Sequence, residues 1–399
     1  MRRIYFDHNA TTPVDPAVLA EMLPYLGAEY GNASSVHAFG QSARGAVERA
    51  REQVAALIGV SPAEIVFTSG GTESDNAAIC GVVGAAAARL GRRMHVVTSA
   101  IEHAAVLHTC QALEKEGAAV TYLPVSSEGL VDPGDVRRAL TAETVLITIM
   151  HANNEIGTIQ PVREIAAIAR EAGVLFHTDA VQTAGKIPVD VASLGVDLLT
   201  LSAHKFCGPK GVGALFVREG IELHPILFGG SRAEEPRPGT ENVAGIVGLG
   251  AAAELARAEM HSESQRVAAL RDRLERGILE TIEATAVNGT NASLRRVPNT
   301  TNLRFDYVEG ESMVIALDLQ GIACSTGAAC SSGAVEPSHV LLAIGLSPEQ
   351  ARSSLRFSLG RQSTEEEVDF LLQTLPVVAD RLRSLSPLTP PNFATKMTA

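Results

Sequence analysis

Short apolar runs alternate with helical patterns through the first half of this chain. The runs at residues 64–68, 95–98, 145–150, 174–177 and 198–201 have the length and composition of buried strands. Several segments between them place apolar residues three and four positions apart, as amphipathic helices do. This alternation predicts a mostly parallel sheet that is covered by helices on both faces.

The pattern changes in the second half of the chain. A long helical pattern runs from about residue 246 to 286, and we expect it to break near Ser262. Residues 302–305 and 354–359 have the pattern of strands, and residues 364–382 have that of a helix. These elements predict a smaller α+β domain beside the large one.

Proline residues and the change of pattern set the expected boundaries. Pro376 lies inside the last predicted helix and should kink or interrupt it, because proline lacks the N–H that continues the helical ladder. The proline-rich end of the chain predicts a frayed tail. We therefore expect a large domain over residues 14–256, a small domain formed by residues 1–13 and 257–385, and a tail over residues 386–399.

Composition and charge exclude several classes of function. The 399 residues are 46% hydrophobic and carry a net charge of −12, which suits a globular protein without general affinity for nucleic acid or anionic membranes. The N-terminus lacks the apolar core of a signal peptide, and no apolar stretch has the length of a membrane span. The five cysteines form no C-x-x-C pair, which argues against structural zinc and a disulfide framework. We expect a cytoplasmic protein.

A glycine turn follows the first strand of the predicted sheet. Ser69-Gly70-Gly71-Thr72 leads into an alanine-rich helix. Free N–H groups and the dipole at such a helix start favour a phosphate group. A plain tight turn explains the same residues equally well, with Thr72 capping the helix and Asp75 as its partner.

Polar residues also follow four other strands of the predicted sheet. Lys205 comes after the run at 198–201 and before a Gly/Pro loop, while His103, Asn154 and Asp179 follow three other runs. Because the carboxyl ends of parallel strands meet at one edge of a sheet, we expect these side chains to gather there. Each has an ordinary alternative as a solvated lysine, a helix start or a turn residue.

Together these residues match what pyridoxal 5′-phosphate requires. The glycine turn would hold the phosphate, and Asp179 would pair with the pyridinium nitrogen. Lys205, buried at a strand end, would lose its charge and form a Schiff base. The cofactor hypothesis therefore depends on the combination and not on any single residue.

Residues 322–334 are almost all small, and they contain two cysteines. Such a segment buries little apolar surface, so Cys330 is expected to be exposed and reactive. Cys324, which follows an apolar pair, fits better as a small buried hydrophobe. Arg356 on the following strand is a candidate carboxylate clamp, with a salt bridge as its ordinary alternative.

Over nearly its whole length the sequence resembles the cysteine desulfurases of the NifS/IscS type. The motifs that carry the resemblance are, in order, Asp7-His8-Asn9-Ala10-Thr11-Thr12, Phe67-Thr68-Ser69-Gly70-Gly71-Thr72-Glu73-Ser74, Glu102-His103, His151-Ala152-Asn153-Asn154-Glu155, His177-Thr178-Asp179-Ala180-Val181-Gln182, Ser202-Ala203-His204-Lys205, Arg237-Pro238-Gly239-Thr240, Ser325-Thr326-Gly327-Ala328-Ala329-Cys330 and Arg356-Phe357-Ser358-Leu359-Gly360-Arg361. The resemblance implies an α/β fold, the fold type I architecture of PLP enzymes (aspartate aminotransferase-like), and a homodimer.

The same resemblance implies roles for the matching residues. Lys205, His103 and Cys330 would be catalytic, with Cys330 as the nucleophile that becomes a persulfide. Gln182 would hydrogen-bond the ring oxygen of the cofactor. The implied cofactor-binding set is Gly71, Thr72, His103, Asn154, Asp179, Gln182, Ser202, His204, Lys205 and, from the partner subunit, Thr240. Asn154 and Arg356 would also contact the substrate carboxylate.

The activity implied by the resemblance converts L-cysteine to L-alanine and leaves the sulfur on Cys330. That sulfur would supply iron–sulfur cluster assembly, tRNA thiolation or both, with an iron–sulfur scaffold protein as an acceptor. A selenocysteine lyase or another fold type I PLP enzyme is the main alternative, and an inactive docking scaffold is a further one. An aminotransferase needs no thiol and a scaffold needs neither Lys205 nor Asp179, so the residues favour the desulfurase.

Overall fold

A computed structural model describes residues 3–91, 93–229, 237–292, 295–326 and 336–390. In this part of the chain the strands are β1 (Ile4–Tyr5), β2 (Ile65–Thr68), β3 (His95–Ser99), β4 (Ala119–Leu123), β5 (Thr144–Thr148), β6 (Leu175–Asp179), β7 (Leu198–Ser202), β8 (Gly213–Val217), β9 (Thr285–Val287), β10 (Thr300–Phe305), β11 (Ile322–Ala323) and β12 (Ser354–Ser358).

Helices connect and cover these strands. They are α1 (Pro16–Met22), α2 (Ala38–Ile58), α3 (Gly71–Leu90), α4 (Ala104–Lys115), α5 (Pro133–Ala139), α6 (Val162–Ala172), α7 (Val191–Leu194), α8 (Val243–Thr281), α9 (Gly310–Asp318), α10 (His339–Ala343), α11 (Pro348–Arg352) and α12 (Glu365–Leu385). In the described part of the chain, no helix is both long enough and apolar enough to cross a membrane.

The largest sheet has the strand order β2-β8-β7-β6-β5-β3-β4 in the described residues. β8 runs antiparallel to both of its neighbours, and all the other strands point the same way. The interior strands β6 and β7 are almost wholly buried, as expected for a sheet that is covered on both faces. Because six strands run in one direction, their carboxyl ends share one edge, where the segments after them meet.

Smaller sheets lie in the second half of the fold. β10 pairs antiparallel with β9 and β12, and β1 pairs with β11, so the N-terminal strand joins the C-terminal part of the chain. One apolar core lies between the large sheet and helices such as α2 and α6, while another is built by β1, β10, β12, α9 and α12. Helix α8 contributes residues to both of these cores, for example Leu249 to the first and Leu274 to the second.

Two predicted helix interruptions are wrong. α8 continues through Ser262, whose hydroxyl donates to the Glu259 carbonyl at 2.9 Å and so is satisfied within the helix. α12 continues through Pro376, so the helix is not interrupted there, and a kink at this residue stays a prediction. Leu371, Leu375 and Ala379 keep a buried stripe along that helix, so tertiary packing outweighs the one lost backbone hydrogen bond.

Candidate active site

The carboxyl edge of the large sheet brings together the residues that the strand pattern singled out. Asp179 is the last residue of β6, and Lys205 ends the short 3₁₀ turn that follows β7. Thr72, His103 and Asn154 follow β2, β3 and β5 respectively. Residues distant in sequence therefore share one region because their strands run parallel.

The glycine turn before α3 has features that an anion site would need. α3 begins at Gly71 after Gly70, and Gly213 on β8 lies so close that a Cβ there would be 2.8 Å from the Gly70 backbone. Ser202 at the end of β7 is 1% exposed, and its Oγ has no hydrogen-bond partner among the described residues. A buried hydroxyl left without a partner is costly. One that lies beside a helix N-terminus is well placed for an anionic oxygen.

Thr72 is not the helix cap that the alternative interpretation required. Gly70 occupies the cap position and makes no side-chain cap, while Thr72 lies in the first turn with an exposed side chain. Glu73 accepts a hydrogen bond from the Ser69 N–H at 2.8 Å and pairs with Arg237 at 3.0 Å. These contacts hold the turn in place and leave Thr72 available for a ligand.

Lys205 is held by backbone oxygens of the N-terminal segment. Its Nζ donates to the carbonyl of Asn9 at 2.5 Å and to that of Ala10 at 2.9 Å. Burial, together with the positive charge of Arg356, lowers the pKa of the Lys205 amine to about 8. The amine is therefore much closer to its neutral, nucleophilic form at neutral pH than an exposed lysine would be.

In the cofactor-free protein, acylation of Lys205 is expected to reach half its maximal rate near pH 8 instead of near the ordinary value of 10.5. Raising the pH removes the proton, and only the neutral amine attacks, so the rate rises through this range. Mass spectrometry of the peptide that carries Lys205 would measure the profile. The Lys205→Arg variant supplies the background, and a profile centred near 10.5 would contradict the expectation.

Asp179 and His103 are two buried titratable groups of the candidate site, and each shifts the pKa of the other. Burial raises the pKa of the Asp179 carboxyl, and the nearby His103 and Lys205 partly offset that rise. One Asp179 oxygen accepts from the Val181 N–H at 2.8 Å. His103 Nδ1 accepts from the Ala105 N–H at 3.1 Å, so the proton of its neutral ring lies on Nε2. Burial lowers the pKa of His103, and the charge of Asp179 opposes that effect.

Asn9 lies in the candidate site and contacts Lys205, although the strand pattern did not single it out. Its carbonyl accepts from Lys205 and from Gln182 Nε2, the latter at 3.1 Å. Its side-chain Nδ2 donates to the Asn154 carbonyl at 2.9 Å and to Thr300 Oγ1 at 2.8 Å. Asn9 thus ties β10 to the edge of the large sheet. The signal that could have revealed it is the run of polar residues that follows the apolar N-terminal strand.

Arg356 and Asn154 lie next to each other, as a shared substrate contact would require. Arg356 is 5% exposed, and its Nη1 donates to the Asn154 carbonyl at 3.1 Å. Its Nη2 pairs with Asp7 Oδ1 at 2.7 Å, so the ordinary alternative of a salt bridge is also present. Its Nε is buried without a hydrogen-bond partner among the described residues. The guanidinium therefore retains a donor that an incoming carboxylate can use.

The remaining predicted residues differ in how far they are buried and in what they contact. His204 Nδ1 pairs with Thr11 Oγ1 at 3.1 Å, and burial lowers the pKa of this histidine to about 4, so it is neutral. Thr240 is exposed just before α8, and its contact with a partner subunit stays a prediction. Cys330 lies outside the described residues. Cys324 is 8% exposed, and burial raises the pKa of its thiol to about 12, which makes it unreactive.

Comparison with known proteins agrees with this geometry. The aminotransferase class-V family model matches residues 4–371. A cysteine desulfurase IscS from Dictyoglomus turgidum is 52% identical over 386 residues, which cover 97% of this chain and 97% of that protein. A solved NifS-like protein superposes with a TM-score of 0.88 and 39% identity, over 96% of this chain and 100% of its own. SspA in complex with cysteine superposes with a TM-score of 0.79 and 38% identity, over 89% of this chain and 98% of its own.

These matches confirm the α/β, fold type I architecture expected from the sequence. They also confirm pyridoxal 5′-phosphate as the cofactor. The residues present are compatible with this cofactor: the buried Ser202 hydroxyl without a hydrogen-bond partner among the described residues, the buried Asp179 carboxylate and the Lys205 amine. The strand order, the position of Lys205 after β7 and the nearly full-length matches agree with one another. The chain therefore belongs to the class-V aminotransferase family and resembles its cysteine desulfurases throughout.

Proposed function

We propose that this protein converts L-cysteine to L-alanine and transfers the sulfur to its own Cys330. The observation that carries the proposal is the Lys205 amine, which lies at the carboxyl edge of the sheet with a pKa lowered to about 8. The Ser202 hydroxyl and the Asp179 carboxylate lie at the ends of the neighbouring strands β7 and β6. An aminotransferase-like site of this kind becomes a desulfurase when a reactive thiol can reach the substrate sulfur.

Pyridoxal 5′-phosphate, when bound, withdraws electrons from the Cα of the substrate. The chain supplies its binding groups. Lys205 would provide the amine that attaches it, and the Asp179 carboxylate would be the counter-charge for its ring nitrogen. The phosphate would be held by Ser202 and the start of α3, and the proposed contacts also include Gly71, Thr72, His103, Asn154, Gln182, His204 and the partner subunit's Thr240.

Arg356 would orient the substrate by its carboxylate. The buried guanidinium is bound to Asp7 through Nη2 and to Asn154 through Nη1. A substrate carboxylate would accept from the unused Nε and compete with Asp7 for Nη2, giving a bidentate contact. Substrates without that carboxylate should therefore bind poorly, because they leave a buried cation partly unpaired.

Lys205 would move the Cα proton once the substrate has displaced it. Its lowered pKa makes the free amine a base near neutral pH, which is the range in which proton transfer is most efficient. His103 offers an N–H at Nε2 on the same edge of the sheet, so it can donate the proton that the three-carbon product takes up. The two groups thus divide the acid and base roles.

The sulfur transfer conserves atoms and electrons. The Cys330 thiolate forms an S–S bond with the substrate sulfur as the Cβ–S bond breaks, and the electron pair of that bond stays on the three-carbon product. That product takes up a proton and leaves as alanine. Cys330 keeps the sulfur as a persulfide, which an added thiol reductant releases as sulfide.

The direct test is product stoichiometry with the purified holoenzyme. With L-cysteine and a thiol reductant, alanine and sulfide should form in equal amounts. Without the reductant, alanine formation should slow as the persulfide accumulates on Cys330, where mass spectrometry can locate it. Formation of pyruvate and ammonia in place of alanine would indicate a different reaction and would overturn the proposal.

Finer features of the function are part of the same proposal. We expect a homodimer in the cytoplasm that passes its sulfur to an iron–sulfur scaffold protein, to a tRNA-thiolating enzyme or to both. Support for the dimer comes from large exposed apolar side chains close together in sequence near α1 and α2. These are Leu23, Leu26, Tyr30, Val36 and Phe39, which are 54% to 91% exposed. The division into residues 14–256 and 1–13 with 257–385 also remains a prediction.

A further inference from the structure

A second lysine, Lys186, lies beside the residues that hold Lys205. A helical turn follows β6, with hydrogen bonds from Ala184 N to the Ala180 carbonyl at 2.9 Å and from Lys186 N to the Thr183 carbonyl at 3.0 Å. This turn brings Lys186 onto the same side as Gln182. Lys186 Nζ donates to Gln182 Oε1 at 2.8 Å.

Both hydrogen-bond acceptors of Lys186 are neutral amide oxygens. Besides Gln182 Oε1, its Nζ contacts Asn9 Oδ1 at 3.3 Å, and no acidic side chain in the described part of the chain pairs with it. Burial, together with the charge of Lys205, lowers the pKa of Lys186 to about 7. A lysine enclosed near another lysine and without a carboxylate does not stabilise the fold electrostatically. Its position therefore calls for a functional explanation.

The contacts of Gln182 determine which way its side-chain amide faces. The Asn9 carbonyl can only accept a hydrogen bond, so the Gln182 atom 3.1 Å from it is the NH₂ nitrogen. The oxygen then faces Lys186, whose amine donates to it. The NH₂ group has two N–H bonds, and within the described residues only the Asn9 carbonyl accepts one of them. The other is left for a ligand.

That remaining donor lies close to the reacting amine. Lys205 Nζ and Gln182 Nε2 contact the same Asn9 oxygen, at 2.5 and 3.1 Å. In pyridoxal 5′-phosphate the ring oxygen is next to the carbon that Lys205 attacks. We propose that Lys186 is a positioning residue: by holding Gln182 Oε1, it directs the Gln182 N–H toward the ring oxygen of the cofactor. This inference rests on the proposed function, because it requires the cofactor on Lys205.

A double-mutant cycle tests whether Lys186 acts through Gln182. The dissociation constant of pyridoxal 5′-phosphate and the absorbance spectrum of the bound cofactor are measured for the wild type, Lys186→Met, Gln182→Ala and the double variant. Loss of one positioned hydrogen bond should weaken binding about three- to tenfold in each single variant. The double variant should be no weaker than Gln182→Ala, and both single variants should shift the spectrum in the same direction.

Controls separate this role from general effects of charge and folding. Lys210→Met removes an exposed lysine and should leave cofactor affinity unchanged. Lys186→Leu, which has no side-chain donor, gives a second cycle with the same expected result should the methionine variant fail to fold. Additive losses in the double variant, or unchanged binding in both Lys186 variants, would overturn the inference. A wild type that binds no pyridoxal 5′-phosphate would instead overturn the proposed function.

Discussion

The Cys330→Ser variant is expected to keep its bound cofactor and to lose at least about a hundredfold in sulfide release. Serine keeps the size of the side chain, but its hydroxyl does not ionise near neutral pH and its oxygen cannot carry the sulfur as a persulfide. The proposed cofactor contacts at Lys205, Asp179 and Ser202 come from other segments and should remain. Cofactor absorbance and sulfide release, measured on the same preparation with L-cysteine and a reductant, would show the separation.

Cys324→Ser is the matched control, six residues earlier in the same segment. Cys324 packs with the apolar core that contains Phe357 and Leu355, and burial raises the pKa of its thiol to about 12. We expect this variant to lose stability by about 1–3 kcal/mol, because the hydroxyl is buried among apolar groups, while sulfide release per folded enzyme stays near that of the wild type. Equal release by Cys330→Ser and the wild type would refute the persulfide mechanism.

Much of the fold follows from local patterns in the sequence. Strands of the large sheet were predicted because their runs are apolar and short, and the parallel direction follows from the intervening helices. The interruptions expected at Ser262 and Pro376 were wrong because α8 and α12 are held by residues distant in sequence. A window of neighbouring residues carries no information about that packing.

Some residues of the candidate site could likewise be predicted from the sequence, whereas others could not. Lys205, Asp179 and the glycine turn were recognisable because each follows a strand, and strand ends have a known place in such folds. Asn9 and Lys186 were not recognisable as parts of one network. One hydrogen bond of this network spans 291 positions of sequence, between Asn9 Nδ2 and Thr300 Oγ1. Only the folded backbone, which brings the N-terminal segment over the sheet edge, creates those hydrogen bonds.

Replacing Lys205 with alanine is expected to abolish desulfuration while leaving the fold intact. In the proposed function the amine attaches the cofactor and moves the Cα proton, so losing this general base and covalent anchor should reduce turnover by at least about a thousandfold. The cost to stability should be small. Lys205 Nζ contacts two backbone oxygens, and the Asn9 carbonyl still accepts from Gln182 when the amine is removed. Removing a partly desolvated cation also relieves its repulsion with Lys186.

Lys210→Ala provides the matched control, because this exposed lysine lies five residues further along the same loop. It should bind the cofactor and release alanine at the wild-type rate. For Lys205→Ala, borohydride treatment should attach no cofactor to the protein, whereas the wild type should be labelled on the peptide that carries Lys205. Thermal unfolding of the cofactor-free proteins would show whether the three share one stability. If Lys205→Ala still bonded the cofactor covalently and produced alanine, Lys205 would not be the cofactor lysine, and the electrostatic argument built on its lowered pKa would fail with it.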